Sequence, residues 1–511
     1  MNTHLSRRSF LCGAAAFGAL GARRLWSLPS DFLTRRPGSL RFGVISDIHF
    51  MLMPDKDWTC NQDVVSVVRK SFEFFRDNKV DAVVIPGDLA MFGTVRELQA
   101  VADTWKSVFP DDKRPDGEKV ERLFVMGNHD SEGWMYDQPP FADRWFKTEA
   151  ERREGLLAYD LVRNWERVFD EPFSDFSVRT VRGYDFVLAH WRGPLGTRIS
   201  CAGWREDCLK GVCEFYETLR GRIDPKRPFF HVQHPIPKQT CYGAGAWGQD
   251  VGATGKALAS YPNAFAFSGH CHYPLTDERA IWQGAYTSIN AGTLTGCVDA
   301  VCAGLEWDET HNPNEPISNL GGGEMGRVAG VHSGTGGLLV DVYDEYVQIS
   351  RLNLPKGDRA LGADWVVPLV STMSAPRAYS FAERKKKAVA PKFLDGAKIR
   401  MAKGIGRAGK NKGKEVLRIE FPIAEGRKDA RVLDYHVTIE GKEGKRLVRR
   451  VVQPGFNLPP DDPVALLTPC CEIAIELLKD VSPARVVVCP RECFGRAGKP
   501  LTAKFTASMG S

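Results

Sequence analysis

The chain has 511 residues, of which 43% are hydrophobic and 26% charged, and a formal net charge of +6. That length exceeds one ordinary core, so two or more domains are expected, with the composition of a water-soluble globular protein. No apolar run approaches the ~18–20 residues of a membrane-spanning helix, and so small a charge by itself implies no nucleic-acid partner.

Residues 1–22 read as an export signal. Ser6-Arg7-Arg8-Ser9-Phe10-Leu11 gives a charged start, and a short Ala- and Gly-rich stretch runs on to Ala22. The paired arginines before Phe10-Leu11 resemble the twin-arginine signal, which exports proteins already folded. The resemblance implies the twin-arginine translocase as a partner and a periplasmic or extracellular location in a bacterium. Cys12 lacks the preceding small residues of a lipid-attachment cysteine. Residues 23–39 follow as a linker. Twelve cysteines remain beyond the signal, with no CxxC pair, and their spacing leaves disulfides and buried thiols both open.

From 41 to 46 a β-rich run predicts a strand, and 61–78 has helical spacing through Val64, Val65, Val68, Phe72 and Phe75. A strand over 81–86, a helix over 94–109 and a strand over 123–126 follow. This alternation predicts βαβ units and a largely buried sheet. Residues 131–172 form an aromatic-rich insertion ending in a helix near 156–169. The runs 176–181 and 184–190, split by Arg182-Gly183, predict a hairpin. A helix is expected over 201–221, strands over 228–233, 264–267 and 285–289, and a hairpin over 337–354. The Gly-, Asn- and Pro-rich stretch 305–336 reads as a surface loop.

Composition changes after Leu354. Between 383 and 418 there are thirteen Lys/Arg and three acids, a local charge of +10. Short alternating runs over 416–421, 432–440, 446–452, 472–478 and 484–489 then predict a β-sandwich. The expected order is a catalytic-type α/β domain over 40–355, a basic linker over 356–395 and the β-sandwich over 396–511.

The chemistry lies where apolar runs end: Asp47 and His49 after the first, Asp88 after the second, Asn128, His129 and Asp130 after the third, His234 and then His270-Cys271-His272 after later ones. In an open α/β sheet, sites form beyond the carboxyl ends of the strands. Singly, each block occurs as an ordinary turn or helix cap. In this order they supply the carboxylate, amide and imidazole ligands that a pair of divalent cations needs. Gly87, Gly127 and Gly269 are expected to let the backbone turn at the strand ends. His234 is preferred to His231 as the isolated ligand because it sits at the strand terminus.

The series D-x-H, G-D, G-N-H-[DE], H and G-H-x-H resembles the signature of the calcineurin-like metallophosphoesterases, over about residues 40–355. That resemblance implies a four-layer α/β sandwich and hydrolysis of phosphomonoesters or phosphodiesters by a dinuclear centre. It assigns Asp47, His49 and His272 to one metal, Asn128, His234 and His270 to the other, and Asp88 to both. It makes His129 the proton donor or phosphoryl stabiliser, with Asp130 holding its other ring nitrogen. Met91 stands where purple acid phosphatases carry a tyrosine, which disfavours a tyrosinate-ligated ferric site; manganese, iron or zinc all suit the remaining ligands.

Residues 239–250, with Tyr242 and Trp247, are expected to form a mobile wall over the pocket, and Arg192 is a candidate phosphate fork. The tail 486–501 looks like the closing hairpin of a fibronectin-III-like module. Two other readings stand beside the enzyme: a non-catalytic surface-binding protein with a structural metal site, and a metal-dependent nuclease using the basic stretch.

Overall fold

The computed structural model describes residues 39–53, 59–130, 148, 161–191, 209, 211–243, 246, 248–294, 335–354, 359–372, 374–375, 377–407, 411–427, 430–454, 456 and 468–505. The expected export signal, Arg192, Trp247, nearly all of 131–160 within the expected 131–172 insertion and nearly all of the expected 305–336 loop lie outside them.

The chain begins with β1 (Leu40–Val44), a two-residue ribbon of β2 (Leu52–Met53) and β3 (Thr59–Cys60), then α1 (Gln62–Asp77), β4 (Ala82–Pro86), α2 (Val95–Val108) and β5 (Glu121–Val125). Asn61 caps α1 through the Asp63 N–H, and Thr94 and Glu97 cap α2 in a reciprocal capping box. Next come α3 (Leu161–Phe169), β6 (Phe176–Val181), β7 (Tyr184–Ala189), α4 (Val212–Thr218), β8 (Phe229–Val232), α5 (Ala253–Leu258), β9 (Ala264–Ser268), β10 (Ile281–Gln283) and β11 (Thr287–Asn290). β12 (Gly337–Val342) and β13 (Tyr346–Asn353) make the expected hairpin, and β14 (Arg359–Ala360) and β15 (Trp365–Pro368) follow.

Two sheets result. One has the order β14-β13-β12-β1-β4-β5, with β15 also on β13; the other has the order β10-β11-β9-β8-β7-β6. β1, β4 and β5 are parallel, as are β7, β8, β9 and β11. Parallel strands covered on both faces read as continuous apolar runs, and β1, β4 and β9 are buried along their whole length. The sheets meet face to face around Phe42, whose ring touches those of Phe186, Phe230 and Phe267 at 5.2, 4.9 and 5.6 Å. On the outer face of the first sheet, Phe75 of α1 lies against Gly43, where a side chain would leave no room. α4 and α5 cover the second sheet through Val212, Tyr216 and Leu258. The layers are therefore helix, sheet, sheet, helix.

The stretch expected to be a linker carries structure. Trp365 of β15 is buried, and α6 (Phe381–Lys387) follows. Arg384 of that basic helix donates to the Glu278 carbonyl and carboxylate at 2.6 and 3.0 Å, so part of the local positive charge is spent internally. Beyond it lie β16 (Arg400–Ile405), β17 (Glu415–Glu420), β18 (Val432–Gly441), β19 (Arg446–Val452), β20 (Cys470–Ala474), α7 (Ile475–Lys479), β21 (Pro483–Glu492) and β22 (Leu501–Lys504). They form a three-stranded sheet, β16-β17-β20, and a four-stranded sheet, β19-β18-β21-β22. Leu417, Ile419 and Ile473 of the first pack with Tyr435, Val437 and Val486 of the second.

The expected strand over 472–478 ends at Ala474 and becomes α7. The reason is packing: a helical turn carries Leu478 into the core, whereas alternation would have buried Leu477, which is exposed. The helix expected over 201–221 is described only from Val212, and it ends at Thr218. Among the described residues, seven cysteines carry free thiols, and no helix is long and apolar enough to cross a membrane.

Candidate metal centre

All seven sequence-derived ligands lie just beyond strand ends, at the edge where the carboxyl ends of both sheets meet. Asp47 and His49 follow β1, Asp88 follows β4, Asn128 follows β5, His234 follows β8, and His270 and His272 follow β9. Backbone bonds tie the loops together. Ile48 and His49 donate to the Asp88 carbonyl at 3.0 and 3.1 Å, and Gly269 donates to His234 O at 2.9 Å. Asn290 reaches Gly269 O at 2.7 Å, and Thr293 reaches Asp47 O at 3.2 Å, so the strand edge after β11 supports the site.

Asp47, His49, Asp88, His270 and His272 all have φ between 44° and 74°. Five left-handed, non-glycine residues at one place are a concentration of strain that ordinary turns do not require. Gly87, at φ 97°, also turns left-handed, and its missing side chain leaves the space filled by the His234 ring. Gly127 and Gly269 serve close approach instead, against Asp88 and Asp47.

Two groups of ligand atoms emerge, Asp47, His49, Asp88 and His272 in one and Asp88, His234 and His270 in the other, each group within 4.8 Å internally. Asp88 belongs to both. His272 Nε2 lies 3.0 Å from both Asp47 Oδ1 and His49 Nε2. His234 Nε2 lies 3.2 Å from Asp88 Oδ2 and 3.0 Å from Asn128 Oδ1, which brings the amide into the second group. The Pro86 carbonyl, 2.7 Å from His234 Nδ1, fixes a proton there and turns Nε2 toward those oxygens. A buried carboxylate, an amide oxygen and imidazoles converge here at 3.0–3.2 Å, close enough for imidazole protons or a metal cation to bridge them. The donor set therefore fits divalent cations.

The electrostatics of the protein alone show the same crowding. Burial opposes charge on Asp47 and Asp88, yet His272 and His234 hold Asp47 below the usual carboxylate range, and His234, His129 and His49 hold Asp88 well below it. Burial drives His49 and His270 down to about 3. His234 is the exception: against its burial, the Asp88 carboxylate raises it to about 9.

His129 is only half-buried. Its backbone N–H donates to Asp88 Oδ1 at 3.0 Å, and its ring stands edge-on to His49 at 4.7 Å. The expected grip of Asp130 on its ring is replaced by the Met91 carbonyl, 2.9 Å from Nδ1. Asp130 instead accepts the backbone N–H groups of Gly127, Leu89 and Ala90 at 2.7, 3.2 and 2.8 Å, so it joins the two loops that carry Asp88 and Asn128. Burial and the nearby Asp88 raise its carboxyl to about 7.

His231 lies away from the ligands, bonded to Tyr216 and Gln233 at 3.0 and 2.8 Å. Cys271 belongs to neither group; its thiol faces Asn290 and burial pushes it well above the usual range. Tyr242, expected in a mobile wall, is buried, bonded to Asn290 and packed on Tyr273. Two neighbours of the site were not singled out from sequence. Trp191 packs on His234 and His270 at 5.7 and 5.1 Å, and Glu97 is a buried carboxylate beside the Met91 loop. The T-x-x-E pattern of a capping box was a signal for Glu97, but only as a helix start.

Residues 40–274 match the family model for the calcineurin-like phosphoesterases. Among solved structures the chain is similar to a dimetal phosphatase from Danio rerio, with 12% identity, a TM-score of 0.36, and coverage of 65% of this chain and 99% of that one. It is also similar to a purple acid phosphatase from yellow lupin (Lupinus luteus) seeds, with 13% identity, a TM-score of 0.38, and coverage of 68% and 57%. No curated protein matches the chain.

Proposed function

We propose that this chain is an exported hydrolase of phosphoesters that works with two divalent cations. The observation that carries the reading is the position of Asp88, shared by two ligand groups that are buried except at His272, with the half-exposed His129 anchored on its carboxylate through the backbone N–H. Asp47, His49, Asp88 and His272 would hold one cation, and Asp88, Asn128, His234 and His270 the other. Bound there, manganese, iron or zinc would supply Lewis acidity toward water and phosphate oxygens.

The residues of the chain do the rest. Asp130 and the strand-edge Asn290 and Thr293 fix the ligand loops before any substrate arrives. With Nδ1 of His129 committed to the Met91 carbonyl, proton transfer to a leaving alkoxide falls to Nε2. A proton donor so placed has no use in a purely structural metal site, which favours the enzyme over the non-catalytic reading. Export rests on the Arg7-Arg8 signal, and a fibronectin-III-like character for 396–511 rests on the likeness of the 486–501 tail to that module's closing hairpin.

Hydrolysis of mono- and bis-(p-nitrophenyl) phosphate, with Mn²⁺ added, tests the reading in wild type and Asp88→Asn. Activity in the wild type and its loss in the variant are expected; equal turnover in both would refute it.

A further inference from the structure

The expected partner of the His129 ring, Asp130, is occupied elsewhere, and the Met91 carbonyl has its place. That carbonyl belongs to a peptide group whose other end is the Phe92 N–H. In a trans peptide the two point in opposite directions. The Phe92 N–H donates to Glu97 Oε2 at 3.2 Å. A carboxylate, one peptide group and an imidazole therefore stand in line.

We propose that Glu97 positions His129 through the Met91–Phe92 peptide, doing at one remove what a directly bonded carboxylate would do. Burial raises the Glu97 carboxyl to about 7, so it is charged above that pH, and a hydrogen-bond chain that ends on a carboxylate polarises its links. Drawing on the Phe92 N–H makes the Met91 oxygen a better acceptor for the Nδ1 proton of His129. The ring is thereby held in one tautomer, with Nε2 as the nitrogen that exchanges a proton. The inference rests on the acid role given to His129 above.

Glu97 does more than cap its helix. A capping box needs only the Thr94 N–H, which donates to Oε2 at 3.1 Å. Oε1 takes the Leu52 N–H at 3.3 Å, from the segment beyond His49. One fully buried carboxylate thus ties the loop after Asp88 to the loop after His49, and Met91 N–H bonds Phe50 O at 2.8 Å between them. Met91 has no freedom to drift from the imidazole it holds.

The test compares phenyl phosphate with p-nitrophenyl phosphate in the full chain loaded with Mn²⁺, across wild type, His129→Ala, Glu97→Gln and the double variant. A poor leaving group needs the acid; p-nitrophenolate does not. Glu97→Gln should lose about ten-fold more kcat on phenyl phosphate than on the nitrophenyl ester, in the same sense as His129→Ala. The double variant should lose no more than His129→Ala alone. Thr94→Ala, which removes only the cap hydroxyl, should affect both esters alike. Equal losses on both esters for Glu97→Gln, losses that multiply in the double variant, or the same pattern in Thr94→Ala would overturn the proposal. If Glu97→Gln does not fold, Glu97→Asp should show the same dependence on leaving group. A readout without turnover separates failure of the acid role from failure of this inference. Imidazole ¹⁵N shifts should show His129 protonated at Nδ1 in the wild type and as mixed tautomers in Glu97→Gln; one unchanged tautomer in both would overturn it.

Discussion

His234 Nε2 stands 3.2 Å from Asp88 Oδ2. The first residue follows β8 in one sheet and the second follows β4 in the other, so this contact joins the two sheets at their carboxyl ends. The Pro86 carbonyl orients the ring from behind, and Gly87 leaves the space in which it lies.

That dependence on Gly87 is measurable. Gly87 and Gly117 both have left-handed backbones, at φ 97° and 84°, but a side chain at 117 would meet nothing within 4 Å. Gly117→Ala should cost about 1–3 kcal/mol in urea unfolding from strain alone and leave Mn²⁺ binding intact. Gly87→Ala should cost more and also lose Mn²⁺ affinity, because its Cβ meets the His234 ring. Equal behaviour of the two variants, followed by calorimetric Mn²⁺ titration, would show that the contact is unimportant.

Trp191 is buried against the rings of His234 and His270, and its backbone N–H donates to Met126 O at 2.9 Å. Residues behind metal ligands commonly change affinity by about 10–100-fold when altered. Trp191→Leu should weaken one of two Mn²⁺ binding steps by about that factor and spare the step that uses His49 and His272. The wild-type protein should also lose tryptophan fluorescence on Mn²⁺ addition, and the variant much less. Two equally weakened steps would argue against this placement.

His190 gives a prediction in pH. Burial, helped by Arg179, lowers it to about 3, and its Nδ1 accepts the Met126 N–H at 3.0 Å. The folded protein keeps this ring neutral, whereas the unfolded chain protonates it below about 6.5. Stability is therefore fully present above pH 6.5 and falls as the pH drops toward 3. The slope from this one group approaches about 1.4 kcal/mol per pH unit. His190→Asn, measured by urea unfolding between pH 4.5 and 6.5, should flatten the curve by up to that amount. An unchanged slope would mean that the histidine is already protonated in the fold.

Much of this site was legible because candidate metal ligands at strand ends combine two signals, an apolar run and a polar residue that ends it. Asp47, Asp88, Asn128, His234 and His270 each carry both, and the structure brings them together. The second-sheet strands β8 and β9 were found by the same runs. What sequence did not reveal are contacts whose partners are backbone atoms. Asp130 was assigned to a histidine ring, yet its oxygens take three N–H groups that no residue type announces. Glu97 was not read from sequence, since its reach to Leu52 depends on tertiary packing. Likewise 356–395 looked like a linker because its charges dominate its composition, although Trp365 and Arg384 bury themselves against Glu278 and its neighbours.

The central claim is that two cations share Asp88. Elemental analysis after Mn²⁺ loading and desalting tests it most directly, with wild type and Asp88→Asn compared at equal protein concentration. Two manganese ions per wild-type chain are predicted, with the variant retaining one or fewer. A wild type that binds at most one ion, or a variant that still holds two, would contradict the account.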